Sequence, residues 1–322
     1  MAFIISLVPQ FQLTSASLKP ATLAAYRSAL RHFAVFATSR SGCRHILDDR
    51  LQFLSVAALD DTLARFIDHV HASQSPASWA RNTFLGILSF NPHVGNRLPV
   101  SHDLCTRLAK VRPSVSPPPL TWDICNLIGL AMLLWRRGWE RRALGLLVAF
   151  DCYLRVNELC KLTKEDVSVP HDFPRQGQVG LVIRSTKVGR AQAVHVRRES
   201  VALLLVEHVR RLPRGALVFN FSSSQFRTAL RDMCQALKLP AFTPHSCRHG
   251  GASQDLREGQ PVDWVQLRGR WASQVSARRY FQSVSSASLD TVRLVRHSNV
   301  GRRVTPTLQA LLLLRLRRGD AR

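Results

Sequence analysis

The chain has 322 residues, 46% of them hydrophobic, which is enough to bury a core in each of two ordinary domains and too much for a disordered chain. Lys and Arg number 45 against 21 Asp and Glu, and the formal charge of +24 calls for a polyanionic partner, with nucleic acid the leading candidate. The seven Cys are scattered without a C-x-x-C pair or a His/Cys cluster, which argues against a disulfide framework and a zinc site and fits a reducing compartment.

The opening MAFIISLVPQFQ is apolar but has neither a preceding basic region nor a cleavage site, so it does not read as a secretory signal. From Ser17, available as an N-cap, Leu23, Tyr26, Leu30, Phe33, Ala34 and Ala37 recur at helical spacing. Similar stripes follow at Leu63, Phe66, Ile67 and Val70, then at Phe84, Ile87 and Leu88, and at Leu104 and Leu108 behind a candidate Ser101 cap. Residues 1–112 therefore read as a small helical domain. VRPSVSPPPL packs its prolines into an extended segment, and 113–120 is taken as the linker. Up to Arg112 the chain carries 12 basic and 6 acidic residues, and beyond it 33 and 15, so both parts are basic.

In the second domain, residues 121–300, Thr121 can cap a helix through LIGLAMLLW, and another apolar helix is predicted from about Glu140 to Cys152. Both apolar runs are far short of a membrane span. VNELCKL predicts a short helix. VGLVIR and QAVHV then read as two strands joined by the turn STKVGR, and the remaining segments return to helical periodicity. The tail, residues 301–322, sets Leu308, Leu311, Leu312 and Leu314 beside Arg315, Arg317 and Arg318 as an amphipathic helix. The fold class is mostly α with a small β-sheet.

The second domain offers no close acidic pair suited to two metal ions, which disfavours a metal-dependent nuclease. It offers instead cations and donors on several elements: Arg155 between two helices, Lys187 in the hairpin turn, His245 and Arg248 together in PHSCRHGG, then Trp271 and Tyr280. Three apart on a helix, His245 and Arg248 share a face near an N-terminus, which suits a phosphate. An isolated H-x-x-R is a common surface pair and gains meaning only in company. On composition alone Trp271 reads as a core aromatic and Lys187 as a phosphate contact.

The ordered set Arg155, Glu158, Lys187, His245, Arg248, Trp271, Tyr280 resembles the catalytic signature of the tyrosine recombinases and phage-type integrases. YLRVNEL is similar to the first-arginine box, with Glu158 at its acidic position. IRSTKVGRAQAVHV resembles the hairpin bearing the lysine, PHSCRHGGAS the H-x-x-R box, and LRGRWASQVSARRYFQ the box ending in the tyrosine. SLKPATLAAYRSALRHFAVFA resembles the opening helix of the family's SAM-like core-binding domain, so the likeness covers nearly the whole chain. Two departures stand out. Cys152, Tyr153 and Leu154 replace the small residues often found before the first arginine, and Trp271 occupies a position where His is more usual.

The resemblance implies a two-domain DNA clamp, a helical core-binding domain with a mixed α/β catalytic domain. It implies a site-specific recombinase or integrase, of mobile-element type, that cleaves and rejoins double-stranded DNA. Tyr280 would attack phosphorus to form a 3′-phosphotyrosyl link, with neither metal nor ATP and no cofactor. Arg155 and Arg248 would hold the nonbridging oxygens. His245 would accept the tyrosine proton, and Lys187 would protonate the departing 5′ oxygen. Trp271 would support the site, and Glu158 would orient an arginine or cap local backbone groups. It also implies a homo-oligomer, a tetramer on two sites, located with DNA inside the cell in nucleus or nucleoid and not at a membrane. A type IB topoisomerase and a catalytically inactive, recombinase-derived DNA-binding protein are the alternatives. For the tail, exchange with a neighbouring protomer, self-docking and DNA contact all stay open.

Overall fold

Side chains three and four apart in α1 (Pro20–Ser39) turn Leu30, Phe33 and Phe36 to one side, where they meet the apolar faces of α2 (Val56–Ala72) and α3 (Ala77–Phe90). The computed structural model describes residues 18–39, 55–113, 119–174, 177–184, 191–275, 277 and 294–318, and the chain divides into two units, Met1–Val115 and Ser116–Arg322. Phe33, Phe36 and Phe66 form the aromatic centre of the first unit, with ring centroids 5.4 Å apart in both pairs that involve Phe66.

The fourth helix, α4 (Pro99–Val111), begins at Leu98 and Pro99, so Ser101 is not its cap. The cap comes from α2. Asp60, buried, accepts from the Val100 and Ser101 backbone at 3.1 and 2.9 Å and from the Ser101 hydroxyl at 2.5 Å. A carboxylate at a helix N-terminus satisfies orphan amides and complements the helix dipole.

In the second unit Thr121 caps α5 (Trp122–Trp135) through a bond to the Ile124 amide, as its position predicts. Next come α6 (Glu140–Asp151), the short α7 (Val156–Leu159), and strands β1 (Val167–Ser168), β2 (Gly180–Ile183) and β3 (Gln192–His195). The sheet order is β1-β2-β3, antiparallel throughout, with Leu181 opposite Val194. Leu181, Ile183 and Val194 face the core, which also takes in α8 (Glu199–Arg210) and α9 (Ser223–Ala236). The helices α10 (Pro244–Arg257) and α11 (Val262–Gly269) carry the later boxes.

The segment read as a tail from residue 301 belongs to α12 (Val295–Arg318), which lies parallel to α5 of its own chain. Gly301 permits this approach, because a Cβ there would stand 2.1 Å from the Asp123 carbonyl oxygen. Further along, Leu308 packs against Gly129, and Arg315 donates to the Leu133 carbonyl at 2.7 Å. Leu308, Leu312 and Leu316 are the buried residues of this stripe, whereas Leu314 is exposed. Among the described residues no helix is long and apolar enough to cross a membrane.

Candidate active site

α6 ends in a tight reversal. Tyr153 takes a positive φ of 50°, and the Leu154 amide reaches back to the Ala149 carbonyl at 3.1 Å, a helix-ending bond of the Schellman kind. The chain then turns directly into α7, with Arg155 as its N-cap. Glu158 closes a capping box in which it accepts from the Arg155 backbone at 2.9 Å and from Arg155 Nη1 at 2.5 Å. Glu158 is buried and Arg155 only partly so, which leaves the guanidinium at the edge of the protein.

α10 starts with Thr243 and Pro244, the Thr243 amide bonding Ser246 Oγ at 3.0 Å. Its glycine pair sets its depth. A Cβ on Gly250 would lie 1.9 Å from the Leu120 carbonyl oxygen, and one on Gly251 would lie 2.1 Å from that of Phe150. Only glycine allows the helix to sit this close to α6 and to the start of α5. The depth carries Arg248 into the interior, where it is fully enclosed. Its Nη1 donates to the Tyr153 carbonyl and its Nη2 to the Gly269 carbonyl. The guanidinium also lies 4.6 Å from the Trp271 ring centroid.

His245, one turn earlier, is exposed. Partial desolvation, and after it the charges of Arg248 and Arg155, hold its pKa below the ordinary histidine value, so its ring is neutral near pH 7 and able to take a proton. His249 meets it edge-on at 4.5 Å between centroids. This second imidazole is buried, and burial, His245 and Arg248 push its pKa down to about 3.

α11 delivers Trp271. Its C-cap is Arg270, in the left-handed region at φ 56°, and the Arg270 side chain folds inward until it is 3% exposed. Arg270 Nη2 donates to Glu158 Oε2 at 2.8 Å and to the Tyr153 carbonyl at 3.2 Å. Glu158 is thus shared between two arginines, and the Tyr153 carbonyl between Arg270 and Arg248.

A second charged layer lies behind. The Tyr153 hydroxyl donates to Asp255, which is also paired with Arg197 and Arg268. Asp151, fully buried, accepts from the Arg197 backbone at 2.7 Å and from Arg198 Nη1 at 2.8 Å. Arg268 in turn donates to the Asp151 carbonyl at 2.8 Å. These bonds tie the segment between β3 and α8 to α6, α10 and α11 in one frame. Burial above all, reinforced by Asp255, drives the Tyr153 hydroxyl pKa far up, which disqualifies it as a nucleophile.

Four of the six residues singled out from the sequence are thereby neighbours: Arg155 and Arg248 are linked through Glu158, Arg270 and the Tyr153 carbonyl, Trp271 lies against Arg248, and His245 feels the charges of both arginines. Lys187 and Tyr280 lie outside the described residues. Arg184, the near neighbour of Lys187, instead binds Asp166 at 2.5 Å. Sequence reasoning missed Arg270, Asp255 and Asp151. Only Arg270 left a signal, as the cation directly before Trp271. Among the described residues no group of three His, Cys, Asp or Glu is placed to hold a metal ion.

Residues 136–286 match the phage integrase family. No curated protein sequence matches the chain. Among solved structures it is similar to the XerH site-specific recombinase bound to palindromic difH substrate in a post-cleavage complex, at 14% identity over 85% of this chain and 80% of that one, with a TM-score of 0.60. It is also similar to the Tn1549 transposon integrase in complex with a circular intermediate DNA, at 11% identity over 89% and 99%, with a TM-score of 0.59. For a lambda integrase dimer bound to a COC′ core site the figures are 18%, 83%, 73% and 0.53. At such identities these structures share the fold. The family match begins just after α5 and takes in all four boxes that carry Arg155, Lys187, His245, Arg248, Trp271 and Tyr280, so residues 136–286, just under half of the chain, carry a phage integrase family domain.

Proposed function

We propose that this chain is a site-specific DNA recombinase or integrase working through a 3′-phosphotyrosyl intermediate. The observation that carries the reading is the convergence of Arg155, Arg248 and a neutral His245 with Trp271 beside them, a set that matches one phosphate and one proton to be moved. Tyr280 Oη attacks phosphorus and passes its proton to His245, and the bond from phosphorus to the 5′ oxygen breaks. Lys187 gives that oxygen its proton. A 5′ hydroxyl from another strand then reverses the step, so the energy of the diester is conserved without ATP. Arg155 and Arg248 hold the nonbridging oxygens, whose negative charge grows during attack. Arg248 is enclosed here, so phosphate reaches it after the surrounding chain opens locally.

In this reading residues 1–112 are a SAM-like core-binding domain, 113–120 a linker, and 121–300 the catalytic domain, the core-binding and catalytic domains closing on double-stranded DNA as a clamp. Two such clamps occupy each site and four assemble for exchange, inside the cell on nuclear or nucleoid DNA. The deciding experiment traps covalent protein–DNA adducts on nicked duplexes drawn from a randomised pool. The parent chain should form adducts and Tyr280→Phe none. Cleavage that persists in Tyr280→Phe would falsify the nucleophile assignment, and Arg155→Ala or Arg248→Ala at parental rates would remove the phosphate site.

A further inference from the structure

We propose that Arg270 is a positioning residue that fixes Arg155 and Arg248 in one common geometry, an inference that rests on the recombinase reading above. One nitrogen, Arg270 Nη2, bonds both anchors of the pair. It holds Glu158, which holds Arg155, and it shares the Tyr153 carbonyl with Arg248 Nη1. No other guanidinium among the described residues joins these two anchors.

The placement of Arg270 is unfavourable by itself. A residue with a side chain is strained at φ 56°, where glycine would end α11 freely. The side chain is then buried at 3% exposure, with Nε and Nη1 lacking hydrogen-bond partners among the described residues. A buried cation whose donors are only partly satisfied does not repay its desolvation in stability. Chain termination explains neither cost, and a geometric task between two arginines explains both. Oε2 accepts from the Arg155 amide and from Arg270 together, and Glu158 meets the Arg155 guanidinium through Oε1. Arg270 adds the second bond that keeps the carboxylate from swinging to take the guanidinium with both oxygens and draw it away from a phosphate. Arg270 touches no substrate itself. It acts through Glu158 and the Tyr153 carbonyl.

The test uses the full chain and a randomised pool of nicked duplexes, with adduct formation followed in a single turnover. Arg270→Gly removes the guanidinium and relieves the backbone. Its adduct rate at saturating DNA should fall by about 100-fold, the loss expected when a reacting group is displaced by an ångström, while half-saturation barely moves. Millimolar guanidinium should restore part of the rate, and equal urea should not. A rate near the parent's, or a loss that guanidinium leaves untouched, overturns the proposal. Should Arg270→Gly fail to fold, Arg270→Lys decides: a loss of about tenfold at unchanged half-saturation supports positioning, because one ammonium cannot hold both anchors in the same geometry, and a parental rate overturns it. Absence of adducts from the parent chain is a separate outcome that defeats the recombinase reading, and this proposal with it.

Discussion

The guanidinium of Arg248 lies face-on to Trp271, 4.6 Å from the ring centroid, while its Nη1 donates to the Tyr153 carbonyl and its Nη2 to the Gly269 carbonyl. The indole is therefore the wall that keeps the arginine from rotating. Trp271→Ala should destabilise the fold by about 3–5 kcal/mol, whereas Trp271→Phe, which keeps an aromatic face, should cost clearly less. Urea unfolding of the two variants checks the order. Equal losses would mean that the indole is a filler and not a wall.

Tyr153 and Tyr280 make opposite predictions. Tyr153→Phe deletes the hydroxyl that donates to buried Asp255 and leaves the carboxylate to Arg197 and Arg268. The expected cost is about 1–3 kcal/mol in unfolding free energy, with adduct formation retained. An inactive but folded Tyr153→Phe would reassign the chemistry.

His249 sets an acid limit. Its pKa is about 3 in the folded chain against 6.5 for an ordinary histidine, so the unfolded chain binds the proton more readily between those values. The stability it contributes is full above pH 6.5 and is lost as pH falls towards 3. Within that window the loss from this one group approaches about 1.4 kcal/mol per pH unit. His249→Gln should flatten the dependence of the urea midpoint on pH between 6.5 and 4, and an unchanged slope would locate the acid sensitivity elsewhere.

Gly251→Ala should prevent native packing of α10, because the new methyl would stand 2.1 Å from the Phe150 carbonyl oxygen and closer than 3 Å to the Tyr153 ring. Gly180→Ala, whose nearest neighbour would be 3.7 Å away, is the matched control and should be mild. Circular dichroism melts of both variants compare them. A stable Gly251→Ala would show that α10 can ride higher over α6.

Local signals were read correctly and distant ones were not. The Thr121 cap and the helix beginning at Glu140 depend on a few adjacent residues, which the sequence displays. Ser101 looked like a cap because capping is usually local, yet the cap is Asp60, about forty positions away. β1 is two residues long and has no periodicity to see. In α12 the pattern of leucines proposed Leu314, and the helix faces Leu316 inward instead, since the direction of approach to α5 is set by Gly129 and Gly301. Arg155, His245, Arg248 and Trp271 stood out through the resemblance of their boxes. Arg270 did not, because neither its φ nor its inward turn is written in residue spacing.

Because α12 supplies Leu308, Leu312 and Leu316 to the core built around α5, that core stays open until residues 295–318 have left the ribosome. A nascent or prematurely stopped polypeptide ending near residue 294 would hold every group proposed to touch phosphate and still lack one side of its interior. Such a product would present the apolar side of α5 to solvent and lose the contacts that α12 makes with it.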